Sequence, residues 1–403
     1  MMKKTKKYAW VMDALGQSSL SVKARALKYF LRGKKEYLPK KKMNADLDAL
    51  IKCGLCPNMC RFDCPVAESA KSETLTPSGR SRLSFLFETD HFVDEELIDA
   101  LYACCACDAC RNWCPFDFSL GDLLKGVHQD IVSKDLVPSN VEEIKKTLVK
   151  DHRVDKKNQQ ISAKKVDENA SVLYFMGCSV QDDHPEIAEA MGQIFDKTNV
   201  AYTMLEDEWC CAAPLYNLGF MDEFKRFAEE NKKKLMEIGC EIMVCSCPTC
   251  AYMFDKIYPD LGFELPMKIV HSSQYLSNIL DKKDLKVSKK FEQKKFVYHD
   301  PCTLARKLNI TSEPRNILQQ ITGLPVSFPF CEKEYTHCCG RGGSLFHTHP
   351  DLSEEITKHR IDELTENADT IITSCPNCKS AFQQNDVPVV DLSELINDSL
   401  KKQ

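Results

Sequence analysis

Eighteen of this chain's 22 cysteines fall into four spaced sets. Cys53-x2-Cys56-x3-Cys60-x3-Cys64-Pro65 comes first, then Cys104-x2-Cys107-x2-Cys110-x3-Cys114-Pro115. Two longer patterns follow, C-x31-CC-x35-CxxC at Cys178, Cys210, Cys211, Cys247 and Cys250, and C-x35-CC-x35-CxxC at Cys302, Cys338, Cys339, Cys375 and Cys378. Clustered thiolates bind soft metals, and no apolar export signal precedes them, so metal or cluster ligation is expected rather than disulfides. Zinc sites also use CxxC pairs, but zinc accepts four ligands, and five thiolates exceed that number. Adjacent cysteines suit a multi-iron cluster, where neighbouring sulfurs reach different irons.

The second quartet has the spacing of two-cluster bacterial ferredoxins, and the first has one extra residue before its third cysteine. In such pairs the fourth cysteine ligates the other cluster. This assigns Cys53, Cys56, Cys60 and Cys114 to one cubane [4Fe–4S] site, and Cys104, Cys107, Cys110 and Cys64 to the other. Cys105 breaks the spacing and is a spare thiol.

The elements that must hold these cysteines follow from pattern. Arg80–Phe87 and Asp94–Tyr102 have helical periodicity. The two later patterns are copies of one unit. Each begins with a strand, Val172–Phe175 or Phe296–Tyr298, followed by a cysteine. Each later has a CC pair and a strand, Ile242–Val244 or Thr370–Ile372, leading into CPxC. From the CC pair onward they align at an offset of 128, which also brings Phe254 onto Phe382. The same offset sets Cys240, Cys245 and Cys331 against Ala368, Thr373 and Thr203, so none of the three is a repeated ligand. Helical stretches Glu186–Asp196 and Leu352–Thr365 between the strands predict parallel sheets.

The expected fold is therefore multi-domain α+β. A basic arm (1–50) precedes a helical ferredoxin-like domain with two [4Fe–4S] sites (51–130). A charged stretch (131–170), a linker or surface helix, leads to a small α/β domain (171–280). A second linker (281–295), a second α/β domain (296–395) and a tail (396–403) complete the chain.

FMGC (175–178), EDEWCC (206–211), CPTC (247–250), YHDPC (298–302), CCGRGG (338–343) and CPNC (375–378) resemble the paired cysteine-rich "CCG" domains. That family includes heterodisulfide reductase and the iron–sulfur subunits of glycolate, lactate and anaerobic glycerol-3-phosphate dehydrogenases. The fused ferredoxin-like part is similar to the catalytic subunit of the membrane-linked heterodisulfide reductase. The resemblance implies a noncubane [4Fe–4S] cluster on each quintet. It also implies a disulfide split between the two clusters in one shared pocket, with Cys211 and Cys339 at the reacting sites. Ala212 departs from the motif's glycine, which Gly340 keeps. Alanine there is a penalty only if the backbone needs positive φ. His299, His337, His347 and His349 are candidate proton donors to a leaving thiolate, or structural histidines.

Gly340, Gly342 and Gly343 form no dinucleotide fingerprint, and no P-loop or Rossmann signature occurs, so flavin and nicotinamide are not expected in this chain. Electrons must then come from a partner, a flavoprotein or a b-type cytochrome subunit. Two functions fit. One is a disulfide reductase, working in either direction. The other is a non-catalytic conduit between a flavoprotein dehydrogenase or electron-transferring flavoprotein and the quinone pool.

At 403 residues, with 43% apolar and 28% charged residues and a net charge of −5, the chain reads as an ordinary globular protein and gives no reason to expect nucleic acid. No stretch approaches the ~20 apolar residues of a membrane span. The cytoplasm is the expected compartment, with association at the inner membrane face through a partner or the arm. Residues 1–42 carry thirteen Lys or Arg against Asp13 and Glu36. Such a block suits docking on an acidic partner or anionic membrane. Leu20, Ala24, Leu27 and Leu31 recur at helical spacing, which equally fits a helix packed on the protein's own core.

Overall fold

In the computed structural model, described for residues 16–24, 27, 43–154, 170–281, 295–322, 326–366 and 368–400, a helical domain lies against two α/β units. The helical domain comprises α1 (Leu47–Gly54), α2 (Pro65–Ala70), α3 (Pro77–Glu88), α4 (Glu95–Tyr102), α5 (Ala109–Asn112), α6 (Leu120–Ser133) and α7 (Ser139–Asp151). Four helix starts are fixed by side-chain caps: Asp46 accepts from the Ala49 amide, Thr76 from Gly79, Asp94 from Leu97 and Ser119 from Asp122. Leu50, Phe87, Leu97, Leu101, Leu124, Val127 and Ile131 form its core.

The expected linker at 131–170 is corrected in part. Helix α7 seats Val141, Ile144 and Leu148 in that same core, because its apolar residues recur on one face while its many charges stay outside. Residues 155–169 and 282–294 lie outside the described residues, as do 401–403 of the tail. Much of the arm does too. Within its described part Leu20 and Leu27 are 85% and 63% exposed, so that face does not pack on the protein's own core.

Repeat 1 is a four-stranded parallel sheet in the order β2-β1-β3-β4, from β1 (Val172–Phe175), β2 (Tyr202–Thr203), β3 (Ile242–Cys245) and β4 (Lys268–His271). Repeat 2 is a three-stranded parallel sheet of β5 (Phe296–His299), β6 (Thr370–Thr373) and β7 (Val389–Asp391). Strand alternation sends alternate residues to opposite faces. Val172, Tyr174, Val244, Phe296, Tyr298 and Ile372 meet in one core shared by both repeats. Leu173, Phe175 and Met243 face the helical domain's core instead.

The register corrects one alignment. Leu173 pairs with Thr203, and Val297 bridges to Ser327, so Ser327 and not Cys331 is the counterpart of Thr203. Six residues separate Thr203 from Cys210, and ten separate Ser327 from Cys338. Repeat 2's extra residues lie there, ahead of the stretch where the constant offset holds. Cys331 sits in that longer segment and has no counterpart.

Candidate iron–sulfur site

The N-terminal thiols converge because tight turns bend the chain between them. Asn58, Ala106 and Asp108 have φ of 65°, 47° and 62°, turning the loops back through the left-handed region. The Ala106 amide donates to Cys104 Sγ at 3.4 Å. The eight quartet thiols lie near one another, with neighbours in both quartets. Cys53 feels Cys114 and Cys56, and Cys60 feels Cys53, Cys64 and Cys114. Cys64 shares a pocket with Cys104, Cys107 and Cys110.

The donor set fits an iron–sulfur cluster. Arg80 is buried among these thiols, its Nη2 3.2 Å from Cys64 Sγ and its Nη1 bonded to the Ala103 carbonyl. A buried guanidinium needs countercharge. Ionised, metal-bound thiolates supply it, whereas neutral thiols would not. Arg306 plays the same part between sites: its Nε bonds the Cys107 carbonyl, and Cys107, Cys302 and Cys338 together hold its charge.

In each repeat the first cysteine follows a strand end, and the CPxC cysteines open a helix with proline at its first position. Cys247 stands at the N-cap of α8 (Pro248–Tyr252) and Cys375 at that of α9 (Pro376–Gln383). Cys178 and Cys210 Sγ are 3.9 Å apart. Hydrogen bonds from Cys210 and Cys250 draw the Cys211 thiol down to about 6, and those from Cys338 and Cys378 hold Cys339 well below the usual thiol range.

The thiols also touch between sets. Cys107 meets Cys338, and Cys247 meets Cys375. Cys105, read as spare, is buried in this junction, with its thiol against Cys338 and 3.8 Å from the Gly340 carbonyl. No spacing rule could have found that contact. Cys245 is enclosed in β3 near Cys247, whereas Cys240, which donates to the Ala170 carbonyl at 3.2 Å, and half-buried Cys331 feel no clustered thiol.

Of the four candidate histidines, His337 is tied to Glu363 and Asp63, and His349 to Asp99 and Thr348. His299 is fully buried against Cys339 and Cys378, with its Nδ1 accepting from Arg360 Nε at 3.3 Å. His347 alone lines the cleft that opens on repeat 1. This cleft, of about 100 Å³, is bordered by Cys178, Cys210, Cys211, Cys247 and Cys250 on one side and by Arg341–Ser344, Phe346, His347 and Asn377 on the other, with Asp182 and Asp183 also in the lining. Among the described residues no thiol of repeat 2 lines it, although each repeat has one partly exposed thiol, Cys178 and Cys302, and four buried ones.

A profile of the cysteine-rich domain family (CCG) matches residues 172–255 and 296–383. The chain is 26% identical over 389 residues to a subunit of dihydromethanophenazine:CoB–CoM heterodisulfide reductase from Methanosarcina barkeri, covering 88% of this chain and 94% of that one. It is 27% identical over 311 residues to a subunit of fumarate reductase (CoM/CoB) from Methanothermobacter marburgensis, covering 74% and 61%. Against EtfAB:quinone oxidoreductase of Syntrophomonas wolfei it is 26% identical over 243 residues, covering 56% and 34%. No helix among the described residues is long and apolar enough to cross a membrane. The chain therefore carries two domains of the cysteine-rich CCG family, and its similarity to subunits of iron–sulfur oxidoreductases such as this heterodisulfide reductase extends through the helical domain as well.

Proposed function

We propose that this protein is the electron-transfer subunit of an oxidoreductase that reduces, or in reverse forms, a disulfide at its two CCG sites. The observation that carries the reading is continuity. Thiols touch from the second N-terminal quartet through Cys107 and Cys338 to repeat 2, and through Cys375 and Cys247 to repeat 1 and the cleft. Two cubane [4Fe–4S] clusters on the quartets and two noncubane clusters on the quintets would supply one-electron steps along this line and an affinity for sulfur at its end. Arg80 and Arg306 offset the negative charge of the ligand sets, and the cleft admits a sulfur compound to one end.

The other end is the outer quartet. Leu55, Met59, Phe62, Trp113 and Phe116 stand exposed beside Cys53, Cys56, Cys60 and Cys114, and Phe62 packs on Trp113 at 4.8 Å. Apolar side chains gathered at the entry point fit a docked electron donor, a flavoprotein or b-type cytochrome subunit. The similarity to EtfAB:quinone oxidoreductase favours the second reading, a conduit to quinone without chemistry at the cleft.

Anaerobically purified protein reduced with a low-potential dye separates them. Dye-dependent cleavage of a disulfide, with about sixteen irons per chain, is the expected result. Fully loaded protein that turns over no disulfide, and passes electrons to quinone only with a partner, would establish the conduit.

A further inference from the structure

Resting on the disulfide reading, we propose that Arg306 and Asp182 fix the order in which the two CCG sites take electrons. Arg306 gives the repeat 2 site the higher midpoint potential, so that it fills first, and Asp182 holds the repeat 1 site lower. Each repeat still meets one sulfur of the disulfide.

The two residues occupy the same place in the duplicated frame. Asp182 stands four positions after Cys178, and Arg306 four positions after Cys302. Asp182 lies on the helix Cys178–Asp183, and Arg306 on the turn Thr303–Lys307 that Cys302 precedes. Residues four apart on a helix share a face, so each charge stands beside its repeat's first thiol. Duplication has kept the position and reversed its sign.

Arg306 spends its hydrogen bonds on neutral partners. Its Nε donates to the Cys107 carbonyl, and its Nη1 to the carbonyls of Glu334 at 3.1 Å and Thr336 at 2.6 Å. Its Nη2 is buried without a partner among the described residues. The charges that face it are foremost the thiols Cys107, Cys302 and Cys338, with Asp63 after them. The carboxylates nearby are engaged with other cations. Asp300 takes both Nη atoms of Arg315 at 2.8 Å, Glu363 holds Arg360 and His337, and Asp63 pairs with His337. A hydrogen bond with Cys338 and the Arg306 charge draw the Cys302 thiol down, against its burial.

Repeat 1 shows the opposite field. Asp182 is 2% exposed, and the hydrogen bond with Cys210, burial and the Asp182 charge all push the Cys178 thiol up. Arg153 meets Asp182 at 3.3 Å but is 28% exposed, so water screens the cation more than the carboxylate. Asp183 joins Asp182 in the cleft lining, where Arg341 is the one Lys or Arg among the described residues. A cation beside an iron–sulfur site favours its reduced, more negative state, and a carboxylate disfavours it. Connectivity agrees with charge, because the second quartet touches repeat 2 through Cys107 and Cys338. The net step balances: one S–S bond breaks, two electrons come singly from the docked low-potential donor, two protons come from solvent, and two thiols leave.

The test is a potentiometric titration of the holoprotein followed by its paramagnetic spectrum, with iron measured on every variant. The signal lost in Cys378→Ser belongs to repeat 2, and the signal lost in Cys250→Ser to repeat 1. In the wild type the repeat 2 signal should titrate at the higher potential. Arg306→Gln should cut its reduced-to-oxidised ratio at a fixed potential about tenfold, ~59 mV for one electron, and Arg306→Lys should restore most of that ratio. Asp182→Asn should move the repeat 1 signal about tenfold the other way. These three variants keep every thiol, so a fall of one signal and a rise of another decide the matter if a serine variant fails to fold. A repeat 1 signal at equal or higher potential, an Arg306→Lys shift as large as that of Arg306→Gln, or midpoints that ignore Asp182→Asn overturn the proposal. Midpoints ordered as expected in a protein that cleaves no disulfide would support the roles of Arg306 and Asp182 and overturn the disulfide reading alone.

Discussion

Phe175 ends β1 of repeat 1, and His299 ends the matching β5 of repeat 2. Each meets the phenylalanine that follows its CPxC motif edge-on, Phe175 with Phe254 at 4.9 Å and His299 with Phe382 at 5.0 Å. The frame is the same and the chemistry is not. Phe175 offers the neighbouring thiols only an apolar face. His299 accepts from Arg360, which leaves its Nε2 carrying the proton on the side of Cys339 and Cys378. The residues after the CC pairs show the same divergence. Ala212 and Gly340 both have positive φ, 60° and 92°. At Gly340 a Cβ would also come 2.5 Å from the Ser353 carbonyl. Duplication has kept the ten cysteines and let their surroundings drift, so the two repeats differ in hydrogen bonding and strain while sharing one set of thiols.

The largest effect should come from forcing repeat 2 to resemble repeat 1 at its tightest point. Gly340→Ala adds a buried clash to left-handed strain, a cost of ~2 kcal/mol or more. Iron analysis should show about four fewer irons per chain, with the N-terminal clusters kept. Full iron content would mean that the loop relaxes and that the contrast with Ala212 is superficial.

His299→Phe should come next, because it copies repeat 1 without touching a ligand. His299 Nε2 is buried without a hydrogen-bond partner beside Cys339 and Cys378, and a hydrogen bond from it to a charged cluster sulfur, at ~1.5 kcal/mol, would correspond to about 60 mV for one electron. Redox titration should find one cluster's midpoint lowered by roughly that amount, since the bond favours the more negative, reduced state. An unchanged midpoint would remove His299 from the account of how the repeats differ.

Ala212→Gly runs the comparison in the other direction. Relief of left-handed strain is worth about 1–2 kcal/mol, against about 0.5–1 kcal/mol of glycine's chain entropy, so a net gain of ~0.5–1 kcal/mol is expected in denaturant unfolding. Loss of stability would show that the alanine methyl packs usefully in its buried position.

The smallest effect belongs to Cys331→Ser and Cys240→Ser, which lie outside every set. Iron content should not change, and stability should move by less than about 0.5 kcal/mol. Loss of a cluster from either variant would show that the sorting of ligands from bystanders is wrong.

Much of the site was readable from spacing, because ligand cysteines recur at intervals set by local turns and by the duplicated frame. The quartets needed only short loops, and the strands leading to Cys178, Cys247, Cys302 and Cys375 showed as apolar runs ahead of cysteines. The reading failed where partners are far apart in the chain. Helix α7 looked like a charged linker, since three buried residues among many charges make a weak pattern. Cys105 broke the spacing and so looked idle, yet it meets Cys338 across 233 positions. The constant offset misplaced Cys331 because an insertion preceding the CC pair leaves no mark on the residues after it.

The sequence by itself determined the donor set: how many thiols there are, how they group, and that the two quintets are copies. It could do so because ligand spacing is local chemistry, carried by turns a few residues long. Tertiary structure alone decided what packs against each set. Contacts between distant segments set it, and here they are a glycine-lined approach of repeat 2 to the helical domain, together with a four-residue difference in loop length between the copies.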